Sequence, residues 1–389
     1  LSRNANYWRG WPVPGAKDFL ETIEIRYEVN PQAPNLFTDC TLDVCDVPRD
    51  YWSQWTNQYG KPTYPNIEMV KNLFQLNLRA ALFTFSVLPE SPDIYTGQFP
   101  DGVPPNFFNN THVRKAFAYG FNRSKCLREV WNGEAICGDT PLIYGLVPDY
   151  RTQASYPPWT YDVNYDAAEA QLRQAIFNGT SVWDTGFQVD VIYILHSSST
   201  ERDRMALENL RDFFSVLSTY HGRTGHPFRV EVQSFDPWIL MDYDFRNFPL
   251  YLIGWQADFA DADNFLRPYM WSSGDFAYLQ NYTTGNGWGS RKDELLDSAI
   301  NTPDGPQRAA LYAELQQTYI DDCPSFPIVQ LSTRMWMKYW VRGLYYNPLD
   351  QWPHYCCVWK EDTCWADITG PTEGIPDGIC SMRDIGYIA

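Results

Sequence analysis

The hydrophobic rhythm of the chain changes several times, and each rhythm names an element. A helical pattern begins after Asn164, with Asp166 placed to cap it, Glu169 three residues on as the return half of a capping box, and Gly179 beyond its end. Phe187, Val189, Val191, Tyr193 and Leu195 recur at every second position, which predicts a half-buried strand. Ala206, Leu210, Phe213, Phe214 and Leu217 return to helical spacing, with Gly222 closing the segment, and Phe228, Val230 and Val232 alternate again. Strand, helix and strand at these lengths predict a βαβ unit with a parallel pair and a right-handed crossover. A third apolar run, Leu250 to Trp255, breaks at Gly254-Trp255-Gln256-Ala257-Asp258. Ligands of open α/β sheets sit beyond the carboxyl ends of the strands, so that break is where a site is expected. The fold class is α/β.

The flanks read differently. Residues 1–104 mix short strands with proline-rich turns, and Ala80 to Val87 reads as a buried strand. Residues 331–389 open on Met335, Trp336, Met337, Tyr339 and Trp340 and run into a cysteine-rich tail. Neither flank holds a complete core, so they are expected to pack on each other or on something outside the chain. Residues 105–330 are expected to form one continuous lobe.

Charge narrows the partners. With 30 Lys and Arg against 47 Asp and Glu, the net charge of −17 would repel a phosphate backbone, so nucleic acid is not a partner. A hydrophobic content of 44% supports real cores and excludes general disorder. No uninterrupted apolar run is long enough to span a bilayer.

Nine cysteines lack the doubled CxxC spacing of a structural zinc site. The expected bridges are Cys40–Cys45, Cys126–Cys137 and two bonds among Cys356, Cys357, Cys364 and Cys380, leaving Cys323 over. Sequons begin at Asn109, Asn122, Asn178 and Asn281, the candidate glycosylation sites. Cysteines and sequons together point outside the cytoplasm, to a cell-surface protein. No charged-then-apolar segment opens the sequence, so export information is expected to have been removed or to lie upstream.

Several stretches, taken together, resemble one family. Asn4-Ala5-Asn6-Tyr7-Trp8-Arg9-Gly10 is similar to an Asn-x-x-Tyr-Trp turn, and Leu42-Asp43-Val44 with Val47-Pro48 to a segment that ends in Val-Pro. His112 to Arg123 resembles a "VRxAhxxAhxR" helix, followed by Val130-Trp131-Asn132-Gly133. Tyr161-Asp162 and Asp166 through Leu172 resemble a "YDxxxAxxLL" helix start. Gly254 to Asp258, with Asp261, Asp263, Asn264 and Phe265, is similar to a "GWxxDxxDPxNF" loop. Their order along the chain is that of the extracellular solute-binding proteins of peptide-type ABC importers, family 5.

The resemblance implies a bilobal, periplasmic-binding-protein-like fold (type II, cluster C-like) whose N-terminal portion is missing from this chain. It further implies that 1–104 and 331–389 are later pieces of lobe I and 105–330 the opposite lobe. A companion chain or self-assembly would then complete lobe I, and membrane association would come through a part not in this chain. Such proteins close two lobes around a ligand and present it to importer membrane subunits, with no bond made or broken and no cofactor or metal. Peptide-binding members anchor the ligand's ammonium on the loop carboxylate, which here is Asp258; Trp255 and Gln256 flank it. Short-peptide members place an arginine after the first strand of this lobe, where this chain has Ile194-Leu195-His196-Ser197. His196 replaces it as a candidate contact for a carboxylate or a sugar hydroxyl. That departure admits longer peptides or oligosaccharides.

Two rival classes remain in view. A glycoside hydrolase would need a pair of carboxylates that no motif supplies. His112, His196, His221, His226 and His354 form no triad or metal spacing, and neither GxSxG nor a P-loop occurs. A structural surface protein built on the same fold would suit the cysteines and sequons.

Overall fold

The computed structural model describes residues 22–25, 32–38, 40–47, 49–64, 66–88, 97–151, 162–195, 200–236, 245–281, 290–349 and 358–360. The chain packs as two compact units, Leu1–Leu73 with Thr333–Ala389, and Phe74–Ser332. Residues 74–104, grouped by the sequence pattern with the N-terminal flank, thus belong with 105–332. The reason is the length of one strand, β1 (Ile67–Phe83), whose second half runs as a strand of the larger unit.

In the larger unit β1 is followed by α1 (Thr111–Gly120), β2 (Ala135–Cys137), α2 (Tyr165–Gln174), β3 (Phe187–Ile194), α3 (Thr200–Leu217), β4 (Phe228–Phe235) and β5 (Leu250–Gln256). Then come α4 (Asp263–Met270), α5 (Asp275–Leu279), α6 (Ser290–Ile300), α7 (Pro306–Asp322) and β6 (Ser325–Lys338), whose last six residues belong to the smaller unit. The strand order is β6-β1-β5-β3-β4, with β2 on β6. The predicted βαβ unit is present: β3 and β4 pair in parallel from Phe187↔Phe228 to Ile194↔Phe235. β5 joins β3 in parallel only at Val191↔Leu250 and Ile192↔Tyr251, and lies antiparallel to β1 from Phe83↔Leu250 to Asn77↔Gln256.

One face of this sheet carries the main core. Phe117 of α1, Leu172 of α2 and Phe214 of α3 bury their rings and branches against Val189, Leu250 and Phe83. The aromatic content goes mainly here: Phe117 meets Phe214 at 4.4 Å and Phe187 at 5.8 Å between ring centroids. Gly120 lets α1 approach α3, because a Cβ there would lie 2.5 Å from the Phe213 ring.

Both arginines of the His112–Arg123 motif are structural. Arg114, buried, donates from Nη2 to the Asp322 carbonyl at 2.7 Å, from Nε to that of Cys323 at 3.0 Å, and from Nη1 to that of Phe108 at 2.6 Å, closing the end of α7. Arg123 is also buried and lies over Phe121 and Phe326.

Two local readings need correction. The cap of α2 is Asn164, whose side chain accepts from the Ala167 amide at 2.9 Å; Asp166 falls inside the first turn. Gly179 does not end that helix. Asn178 (φ 51°) and Gly179 (φ 82°) form the two-residue turn of a hairpin pairing Ile176-Phe177 with Thr180-Ser181, a turn that demands left-handed backbone at both positions.

The expected Cys40–Cys45 and Cys126–Cys137 bridges are not formed: all five described cysteines are free thiols. Cys40 sits exposed in a turn with φ 59°, where its sulfur accepts from Asn66 Nδ2 at 3.2 Å, whereas Cys45 is buried beside Trp52 and Trp336. Cys126 and Cys137 are buried. Burial first, then the neighbouring Cys137 thiol, pushes Cys126 up to about 12. Cys356, Cys357, Cys364 and Cys380 lie outside the described residues.

In the smaller unit the flanks do pack on each other. Phe37 stacks on Trp55, and Trp336 meets the edge of Trp55, each at 5.8 Å. Val44-Cys45 pairs antiparallel with Trp336-Met337, and Trp340 Nε1 donates to Asp43 at 2.8 Å.

Candidate functional site

Gly254–Gln256 are the last residues of β5, and Ala257-Asp258 lead out of it into a bend. Ala257 still donates to the Leu76 carbonyl at 2.9 Å, so the ladder with β1 continues one residue past the strand. Hydrogen-bonded pairs alternate along an antiparallel ladder. Counting back from Ala257, Trp255 turns its main chain toward β1, while Gly254 and Gln256 turn theirs away. The register with β3 stops at Tyr251, so Gly254 faces no strand on that side among the described residues.

One buried side chain organises this strand end. The Asn264 carboxamide oxygen accepts from Trp255 Nε1 at 3.2 Å and from the Asp258 amide at 3.0 Å, while Nδ2 donates to the Asp258 carboxylate at 3.2 Å. Asp258 itself is exposed, so its carboxylate is aimed by Asn264 yet remains open to a ligand. The Trp255 ring is half-buried and meets Phe276 edge-on at 5.7 Å. Gln256 is exposed and accepts from Asn77 Nδ2 at 3.1 Å. Trp255 and Gln256 thus end β5, with Asp258 at the bend that follows; His196 lies outside the described residues.

The neighbouring acids are otherwise engaged. Asp261 accepts from the Asp263 amide at 2.8 Å and from Arg308 Nη2 at 2.9 Å. Asp263, buried, accepts from Arg267 Nε at 2.8 Å. Both hold the start of α4 in position.

Two residues that the sequence pattern left without a role belong to the same neighbourhood. Asn264 was visible only as one letter of the loop motif. Arg79 sits in an apolar run, just ahead of the Ala80 at which the buried-strand reading began. Its Nη2 pairs with Asp203 of α3, which is buried. Phe259, beside Asp258, is exposed.

Elsewhere in the larger unit a cavity of about 220 Å³ is lined by Leu78, Cys137, Asp139, Thr140, Gln316 and Gln330 among others. Its amides are committed: Gln316 accepts from Thr140 Oγ1 at 3.2 Å and donates to the Tyr150 carbonyl at 3.0 Å. Among the described residues, no group of three His, Cys, Asp or Glu could hold a metal ion, and no helix is long and apolar enough to cross a membrane.

The sequons divide. Asn109 and Asn178 are exposed, whereas Asn122 accepts from the Lys125 amide at 2.7 Å and Asn281 Nδ2 donates to the Ser86 carbonyl at 2.6 Å.

Residues 1–277 match the family described as bacterial extracellular solute-binding proteins, family 5 Middle. Heme-binding protein A of Haemophilus influenzae is 25% identical over 225 residues, 57% of this chain and 36% of that protein. HbpA2 from Haemophilus parasuis superposes with a TM-score of 0.63 at 20% identity, over 92% of this chain and 61% of that one. A dipeptide binding protein from Pseudoalteromonas sp. SM9913, in complex with Met-Leu, gives a TM-score of 0.60 at 18% identity, again over 92% and 61%. The chain thus spans about a third of the curated relative and under two thirds of these solved chains. The fold is the α/β fold of type II periplasmic binding proteins. By the match over most of its length, the chain belongs to the bacterial extracellular solute-binding proteins of family 5, a family of transport proteins that bind substrate.

Proposed function

We propose that this chain captures short peptides at the Gly254–Asp258 segment and delivers them to the membrane subunits of an ABC importer. The observation that carries the reading is the exposed Asp258 carboxylate, aimed by Asn264 at the end of a strand that faces no partner strand beside Gly254 among the described residues. A carboxylate so placed offers a charge-assisted bond to a terminal ammonium, and outward-turned main-chain groups at Gly254 and Gln256 suit an extended ligand backbone. The smaller unit would contribute to lobe I and the larger unit would form the opposing lobe, with capture involving no bond made or broken. A solved relative bound to Met-Leu supports the peptide class. Oligosaccharide as ligand, self-assembly and a companion chain have no such support.

Native mass spectrometry of protein purified without denaturation tests this. Peptide masses released on acidification, unaltered on prolonged incubation, support capture without turnover. Released haem or sugar in place of peptide would remove the reading.

A further inference from the structure

Arg79 of β1 stands directly across from Gly254 in the β1–β5 ladder. That pair is one whose main-chain groups turn outward, the arrangement that brings facing side chains closest. The guanidinium lies beside this glycine: a Cβ built on Gly254 would be in ordinary contact with Arg79 Nη1, at 3.8 Å. The guanidinium is held from the far side by the buried Asp203 carboxylate, bonded to Nη2. No further hydrogen bond of Arg79 is made among the described residues, and 13% of its side chain reaches solvent. Nε and Nη1 are therefore offered at the same strand end as Asp258.

Opposite charges then mark the two ends of one short segment, the guanidinium at Gly254 and the carboxylate at Asp258, four residues on. Because the ladder persists to Ala257, the segment is extended up to the bend at Asp258, and at ~3.3 Å per residue it measures at most about 13 Å. An extended peptide of three or four residues separates its own termini by about that much.

We infer that Arg79 takes the terminal carboxylate of the ligand whose ammonium Asp258 takes, so that the site selects free peptides of three or four residues. This rests on the peptide reading above and replaces the expectation that the carboxyl end goes unread. Asp203 is a positioning residue: by engaging one nitrogen it leaves the guanidinium facing the strand end.

Isothermal titration of the full chain decides the matter, using tetra-alanine, its carboxyl-terminal amide, its N-acetyl form and an alanine series of two to six residues. Arg79→Gln alone removes the ion pair of the buried Asp203 carboxylate, so the double variant Arg79→Gln/Asp203→Asn is measured beside it, with folding checked by circular dichroism. Wild type is expected to bind the free acid at least tenfold more tightly than the amide, with the series peaking at three or four residues. The double variant is expected to bind acid and amide equally while still rejecting the N-acetyl form. Equal binding of acid and amide by wild type, or a persisting preference in the double variant, overturns the role of Arg79 and leaves that of Asp258 standing. Failure of every peptide to bind, or unimpaired binding of the N-acetyl form, overturns the peptide reading and this assignment with it.

Discussion

Replacing Asn264 by alanine should loosen the bend while leaving the sheet intact. Three hydrogen bonds are lost, from Trp255 Nε1, from the Asp258 amide and to the Asp258 carboxylate. A hydrogen bond contributes about 0.5–1.5 kcal/mol net, and a donor left dry costs more. Asp258 is exposed and regains water at little cost, whereas the half-buried Trp255 does so less readily. The expected loss is therefore about 1.5–3 kcal/mol. Asn264→Asp sharpens the test, since it preserves shape but sets a second carboxylate about 3 Å from the first. Repulsion then raises one folded-state carboxyl above its unfolded value. A carboxyl so raised stabilises the fold below the unfolded value and loses that contribution as pH rises through the raised one, so the deficit of this variant should be large at pH 7 and shrink toward pH 4. Urea unfolding followed by tryptophan fluorescence, with ligand removed, reads both effects. An alanine variant within 0.5 kcal/mol of wild type would show that Asn264 does not aim Asp258.

The remaining structural predictions concern packing and thiols. Gly120→Ala should cost about 1–3 kcal/mol, because the new Cβ would lie 2.5 Å from the Phe213 ring; the pair Gly120→Ala/Phe213→Leu should recover part of it in the same urea assay. At pH 8 a thiol reagent followed by peptide mapping should label Cys40 rapidly and spare the buried Cys45, Cys126, Cys137 and Cys323; equal labelling would contradict the free, buried placement. Burial pushes Cys45, Cys126 and Cys323 up to about 12 and Cys137 to about 11 from an ordinary value of 9.0. A neutral thiol favoured by the fold stabilises it fully below pH 9, and that contribution is lost as pH rises through the raised values. The urea midpoint should accordingly fall between pH 9 and 11, less steeply in Cys126→Ala.

Periodicity exposed the elements that bury one clean face. Phe187 to Leu195, Ala206 to Leu217 and Phe228 to Val232 became β3, α3 and β4 because their apolar spacing matches the geometry of those elements and nothing competes with it. Boundaries were less legible where a polar residue had two uses. Asn164 and Asp166 both suit a helix cap, and only the main-chain geometry selects Asn164; Gly179 reads alike as a helix end or a hairpin turn. The unit boundary was hidden because β1 continues unbroken across it. Cysteine spacing misled, since closeness in sequence does not orient two thiols toward each other. At the candidate site, Asp258 stood out through the loop motif, but Asn264 and Arg79 act through partners 6 and 124 residues away, which no local pattern records.

The central claim is that the Asp258 carboxylate holds the ammonium of a captured peptide. Isothermal titration of wild type and Asp258→Ala with one free tetrapeptide and its N-acetyl form addresses it most directly. The account predicts that wild type binds the free form, that the variant binds it at least tenfold more weakly, a loss of about 1.4 kcal/mol or more, and that acetylation weakens wild type but not the variant. Unchanged affinity of Asp258→Ala for the free peptide would contradict it.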